Sequence, residues 1–116
     1  MKIACAPPKA TSVTDSQHDL RVVLYGRADT QNKAEIGATA KEVILKRKLR
    51  ADAKAWDLLS IALSVVATDF AASREKSPDG WTRELDVTIA VADPEFWSSQ
   101  TTLLERQLRF LTTDIW

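Results

Sequence analysis

Trp81-Thr82-Arg83-Glu84-Leu85-Asp86-Val87-Thr88-Ile89-Ala90-Val91, followed at once by Ala92-Asp93-Pro94-Glu95, is the stretch whose reading decides the fold. Leu85, Val87, Ile89 and Val91 alternate with Glu84, Asp86, Thr88 and Ala90, the two-residue period of a half-buried strand. Asp93, Pro94 and Glu95 then stand in the order of a helix start: a carboxylate to accept from first-turn amides, a proline where a missing N–H costs nothing, and a glutamate against the positive end. Trp97, Leu104, Leu108 and Leu111 follow at helical spacing, Leu103 and Phe110 lie beside them, and Glu105 precedes Arg109 by four as a favourably oriented pair.

Upstream of this unit, Ser77-Pro78-Asp79-Gly80 has turn composition, and the run from about Ala53 to Ser73 reads as a long helix capped by Asp52. Its polar residues Asp57, Ser60, Ser64 and Thr68 form one narrow stripe, while Trp56, Leu58, Leu59, Ile61, Leu63, Val65, Val66 and Phe70 occupy the rest. A helix apolar around so much of its girth is covered on more than one side. Leu20 to Tyr25, closed by Gly26, reads as a strand. Arg27 to Thr39 reads as a loop; Val43-Ile44-Leu45 fits a second strand or the end of a helix, and strand is the reading taken. Residues 1–18, with Pro7, Pro8 and several Ser and Thr, have the composition of a flexible leading segment.

The expected class is therefore α+β. Residues 19–116 form one domain, a small sheet with two helices packed on one face in the order β-β-α-β-α. Asp114-Ile115-Trp116 opens a further strand. A one-sided sheet with two apolar helices calls for more cover, so the expectation is the N-terminal domain of a longer protein.

Composition bounds the chemistry. A chain of 116 residues fits one domain, and 45% hydrophobic with 28% charged residues is an ordinary soluble composition. Sixteen basic residues balance sixteen acidic ones, which gives no general attraction to nucleic acid or anionic membrane. The single cysteine fits a reducing compartment, so a cytoplasmic protein is expected, and Leu58 to Thr68 is too short an apolar run to span a bilayer. Three isolated glycines, Gly26, Gly37 and Gly80, write neither a dinucleotide fingerprint nor a phosphate loop, and one Cys with one His makes no zinc site of the usual type. His18 and Cys5 read as ordinary surface residues without a catalytic partner.

Asp57 and Asp69 lie twelve residues apart, about 18 Å along a helix, too far to act on one substrate bond. The expected roles are a charge near the helix cap for Asp57 and an ion pair with Arg74 or Arg83 for Asp69. The one local basic patch is Lys46, Arg47, Lys48 and Arg50, with Lys54 beyond; a solvated loop is the reading taken over nucleic-acid contact. Trp56, Trp81, Trp97 and Trp116 have aliphatic rather than basic neighbours and read as core or inter-domain anchors.

Trp56-Asp57-Leu58-Leu59-Ser60-Ile61-Ala62, then Asp69, Arg74, Asp79-Gly80-Trp81-Thr82-Arg83, Val91-Ala92-Asp93-Pro94 with Trp97, and Phe110-Leu111-Thr112-Thr113-Asp114-Ile115-Trp116 form an ordered series. In that series the chain resembles the amino-terminal region of the QueC-like proteins of Qat anti-phage operons. The resemblance covers residues 56–116 and does not extend to 1–50. It implies a following domain similar to 7-cyano-7-deazaguanine synthase, with a Ser-Gly-Gly-type loop for ATP pyrophosphate. The parent would then use ATP to activate a carboxylate. The chain itself would carry no catalytic residue and no cofactor; it would cover the synthase-like domain or dock a companion defence protein, with homo-oligomerisation as a further possibility. Arg74, Trp81 and Arg83, around the turn, are the candidate binding residues, because arginine offers a planar donor fork to an anionic group. A structural ion pair is the competing reading for both arginines. A stand-alone adaptor or antitoxin-like module, and a nucleic-acid binder using the basic patch, remain the alternatives.

Overall fold

A computed structural model describes residues 1–10, 17–28 and 33–116. The chain is α+β: among these residues it forms strands β1 (Lys2–Ala6), β2 (Leu20–Leu24) and β3 (Lys33–Ile36), helices α1 (Ala38–Lys46) and α2 (Ala53–Ala71), a 3-10 turn at Arg74–Lys76, strand β4 (Asp86–Ile89) and helix α3 (Pro94–Thr112). The sheet has the order β3-β2-β1-β4, and every pair in it is parallel.

Three expectations from composition are overturned. Residues 2–6, assigned to a flexible leader, form an inner strand of the sheet in which Ile3, Cys5 and Ala6 are fully buried. Its Lys-Ile-Ala-Cys-Ala sequence lacks the β-branched enrichment that marks a strand, yet small residues suit a position flanked by two others. Cys5 is thus a core residue, and burial raises its thiol pKa against a weaker opposing hydrogen bond with Ser64. Residues 11–16 of that leader lie outside the described residues.

Lys33–Ile36, read as loop, is the edge strand β3. Ala34 and Ile36 face the core, a pattern too short to stand out in a polar region, and charged residues are common on exposed edges. Val43-Ile44-Leu45, read as strand, lies in α1. Gly37 starts that helix from the left-handed region at φ 89°, and the helix-forming Ala38, Ala40, Lys41 and Glu42 outweigh three apolar residues. A Cβ at Gly37 would meet Leu63 Cδ1 at 2.6 Å, so this glycine also lets the start of α1 approach α2. Gly37→Ala is expected to destabilise the chain by about 1–3 kcal/mol, from positive φ and overpacking together, measured as a shift in urea midpoint.

The other elements follow the sequence closely. Asp52 accepts from Ala55 N at 2.8 Å at the start of α2, and Asp93 from Phe96 N at 3.1 Å at the start of α3, with proline in the first turn. Ser77-Pro78-Asp79-Gly80 closes through Gly80 N to Ser77 O at 2.9 Å, with Gly80 at φ 69°. β4 is shorter than the alternating run because Asp79 Oδ1 accepts from Trp81 N and Thr82 N, which holds the first residues of that run in the turn.

One face of the sheet, carrying Ile3, Cys5, Val22 and Leu24, packs against α2 through Ala67 and Leu63. The narrow polar stripe of α2 is the side that faces inward: Asp57, Ser60, Ser64 and Thr68 are all buried. Small side chains let the helix sit close to the sheet, and the serine hydroxyls return to the helix itself, Ser60 Oγ to Trp56 O at 2.9 Å and Ser64 Oγ to Ser60 O at 2.7 Å. At about 100° per residue, Leu58, Ala62, Val66 and Phe70 fall on the opposite side of α2, and all four are exposed. α3 is less embedded than α2: none of its residues is fully buried, and it borders β4 and α2 across a groove.

Candidate docking surface

Two polar networks and one groove define the side of the molecule formed by α2, β4 and α3. The first network is centred on Asp114, whose side chain is 0% exposed. Arg83, itself 5% exposed, donates to Asp114 Oδ2 through Nε at 3.1 Å and also through Nη2. The same guanidinium reaches Asp69 Oδ1, Asp69 O and Ala72 O, tying it to the end of α2. Arg74 forks onto both Asp114 oxygens at 2.9 and 3.2 Å and also donates to Trp81 O and Thr112 O. Burial alone would raise the Asp114 carboxyl pKa; hydrogen bonds and charge from Arg83, with the charge of Arg74, outweigh it and hold the group below its ordinary value. Hydrogen bonding to Asp114 in turn raises Arg83.

The second network is centred on Asp57. Its carboxylate accepts from Ala92 N at 2.7 Å, Asp93 N at 3.0 Å and Trp97 Nε1 at 3.0 Å. One buried carboxylate on α2 therefore fixes both the exit from β4 and the first turn of α3. Beside it the Tyr25 hydroxyl shares a 2.8 Å hydrogen bond with Ser60 Oγ, and Tyr25 meets Trp56 edge-on at 5.6 Å. Burial raises the Tyr25 pKa.

The sequence candidates are distributed as follows. Arg74, Trp81 and Arg83 are brought together: Arg74 lies 5.5 Å from the Trp81 ring centroid, and both arginines bind Asp114. Asp69 pairs with Arg83, one of the two arginines named for it. Asp57 serves a structural turn rather than a helix cap. Lys46, Arg47, Lys48 and Arg50 are exposed at the end of α1 and in the link to α2, whereas Lys54 lies over the Phe96 ring at 4.2 Å. Gly26 and Gly37 lie near each other beyond the paired ends of β2 and β3, and Gly80 lies in the turn before Trp81. Among the described residues no group of three or more His, Cys, Asp or Glu side chains could hold a metal ion, and no helix is long and apolar enough to cross a membrane.

No family model, curated protein or solved structure matches the chain. The surface itself therefore carries the functional argument. Around the Asp114 network stand apolar side chains with little protein beside them: Phe70 is 88% exposed, Phe110 86%, Leu111 74% and Trp81 63%. The hydrogen bonds of Arg74 and Arg83 place them at one end of the molecule, because those bonds join the end of α2, the Trp81 turn and the end of α3. Sequence reasoning registered surplus apolar surface on α2 but not which side it occupied. The spacing of four from Leu58 to Phe70 was the signal available.

The groove, about 560 Å³, runs between α2, β4 and α3. Ile61 and Val65 come from α2, Val87 and Ile89 from β4, Leu104 and Leu108 from α3, and Trp116 closes one part of the lining. Asp86, Thr88, Ser98, Thr101 and Glu105 add polar groups to this largely apolar lining.

Proposed function

We propose that this chain is a non-catalytic docking domain: the N-terminal domain of a QueC-like, ATP-using anti-phage defence protein of the cytoplasm. It covers the parent's synthase-like domain or a companion defence protein. The observation that carries this reading is the exposed apolar stripe Leu58, Ala62, Val66 and Phe70 on the side of α2 turned away from the sheet, with Phe110 and Leu111 also exposed near the end of α3. Extensive exposed apolar surface on a folded domain marks an interaction site. The arginines support docking in a second way, since Arg83 and Asp114 hold the ends of α2 and α3 together and so keep the patch in one shape. ATP belongs to the synthase-like domain in this reading, and no residue here is assigned to it.

The test is association between this chain and the parent's synthase-like domain, followed by titration calorimetry. Phe70→Asp and Phe110→Asp, both at exposed positions, should leave the fold and thermal transition unchanged and each weaken binding by about 2 kcal/mol, or about 30-fold in Kd. A dimer of this chain alone that the same substitutions dissolve would favour the stand-alone adaptor instead. Salt-dependent binding to nucleic acid, lost on neutralising Lys46, Arg47, Lys48 and Arg50, would favour the third reading.

A further inference from the structure

The outer edge of β4 shows in its backbone hydrogen bonds what would continue the sheet. Asp86 N donates inward to Met1 O and Ala90 N to Cys5 O, both at 2.9 Å. Leu85 N donates outward, to Ile115 O at 2.8 Å, and Ile115 N donates back to Arg83 O at 2.9 Å. These two bonds are the Glu84–Ile115 bridge, a parallel rung beside β4. Backbone direction alternates along a strand, so the amides of Val87 and Ile89 point the same way as that of Leu85. Among the described residues no strand pairs with this edge beyond that rung.

We propose that the polypeptide continuing from Trp116 in the parent protein forms a fifth parallel strand on this edge and occupies the groove between β4, α2 and α3. This rests on the reading of the chain as the front domain of a longer protein. The first rung already sets the register. Ile115 opposite Glu84 puts Trp116 opposite Leu85, and paired residues share a face. Trp116 accordingly lines the groove together with Val87 and Ile89. The second and fourth positions beyond Trp116 fall opposite Val87 and Ile89 and point into the apolar groove; the first and third donate to and accept from the free backbone groups of β4. The occupant is thus an extended segment with apolar side chains at its second and fourth positions. β4, α3 and this strand make a crossover unit of the kind that joins parallel strands.

Backbone amide exchange in the parent protein tests this. Val87 and Ile89 amides should be protected to the same level as Thr88, and an aspartate at the second position beyond Trp116 should speed their exchange on the order of a hundredfold while Thr88 changes far less. Val87 and Ile89 exchanging freely in a parent that does carry a synthase-like domain would overturn the strand and leave the docking reading standing. Protection of the two amides in a protein without such a domain would support the strand and overturn the reading. Protection that appears only on dimerisation, through the β4 edge of a second copy, would overturn the proposal in favour of self-association.

Discussion

Asp114→Ala should lower the stability of the chain by about 3–5 kcal/mol, the cost of leaving a buried arginine without its carboxylate. Arg83 is 5% exposed and Asp114 0%, so water cannot take over the role of either partner. Arg74 is more exposed, at 35%, and its loss should cost less than that of Arg83. For a domain of this size the Asp114 effect corresponds to a fall of about 12–20 °C in Tm. The network also predicts the acid limb of stability. Asp114 has a lowered pKa in the folded state, so it contributes stability above its unfolded pKa of about 3.9 and loses that contribution as pH falls through the folded value. Urea unfolding followed from pH 7 to pH 2 should show stability falling below about pH 4 in the native chain, with a shallower fall in Asp114→Asn because that side chain no longer titrates. An Asp114→Asn variant with the native acid limb would assign the titration to other carboxylates.

Asp57→Ala is the second large effect, about 3–4 kcal/mol, because two backbone amides and an indole N–H lose a charged acceptor in a buried place. The loss is local in origin. Ala92 and Asp93 are the link between β4 and α3, so the first turn of α3 loosens before the sheet does. Trp97 reports it directly: its emission should shift to the red in Asp57→Ala under native conditions, while amide protection in β1 and β2 persists up to the global transition. Asp57→Asn keeps one carbonyl acceptor of similar shape and should recover part of the stability. Equal damage from both variants, with Trp97 emission unchanged, would contradict the assigned role.

These two carboxylates clarify what could be read in the sequence. Helix starts were legible wherever an Asp precedes the first turn, as at Asp52 and Asp93, because the cap is local and its partner lies three residues away. The Ser77–Gly80 turn and the alternation over β4 were legible for the same reason. Asp57 and Asp114 draw their meaning from partners 31 to 40 residues distant, which no spacing rule reports, whereas the expected pairing of Asp69 with Arg74 or Arg83 is met by Arg83. Yet the ordered series of residues in 56–116 includes Asp57, Asp69, Arg74, Arg83, Asp93, Trp97 and Asp114, and each of them belongs to one of the two networks or caps α3. That series therefore describes how α2, β4 and α3 are held together. β1 and β3 were missed because their burial comes from neighbours rather than from their own pattern: Lys-Ile-Ala-Cys-Ala and Lys-Ala-Glu-Ile become strands by pairing with Leu20–Leu24.

α2 carries the sharpest lesson about amphipathicity. A polar stripe on a helix ordinarily marks the solvent side, and here it is the side pressed to the sheet, because Ser60 and Ser64 satisfy themselves on their own helix and small side chains permit close approach, although the Thr68 hydroxyl is buried without a hydrogen-bond partner. Leu58, Ala62, Val66 and Phe70, on the opposite side, are then left in solvent.

Hydroxyl-radical footprinting reads that surface most directly. Oxidation of Phe70, Trp81, Phe110 and Leu111 is to be compared between this chain alone and the parent protein or its complex with the companion. Docking predicts that Phe70, Phe110 and Leu111 become protected several-fold on assembly while buried Ile3 and Val22 remain unreactive throughout. Unchanged oxidation of all three in the assembled protein would contradict it.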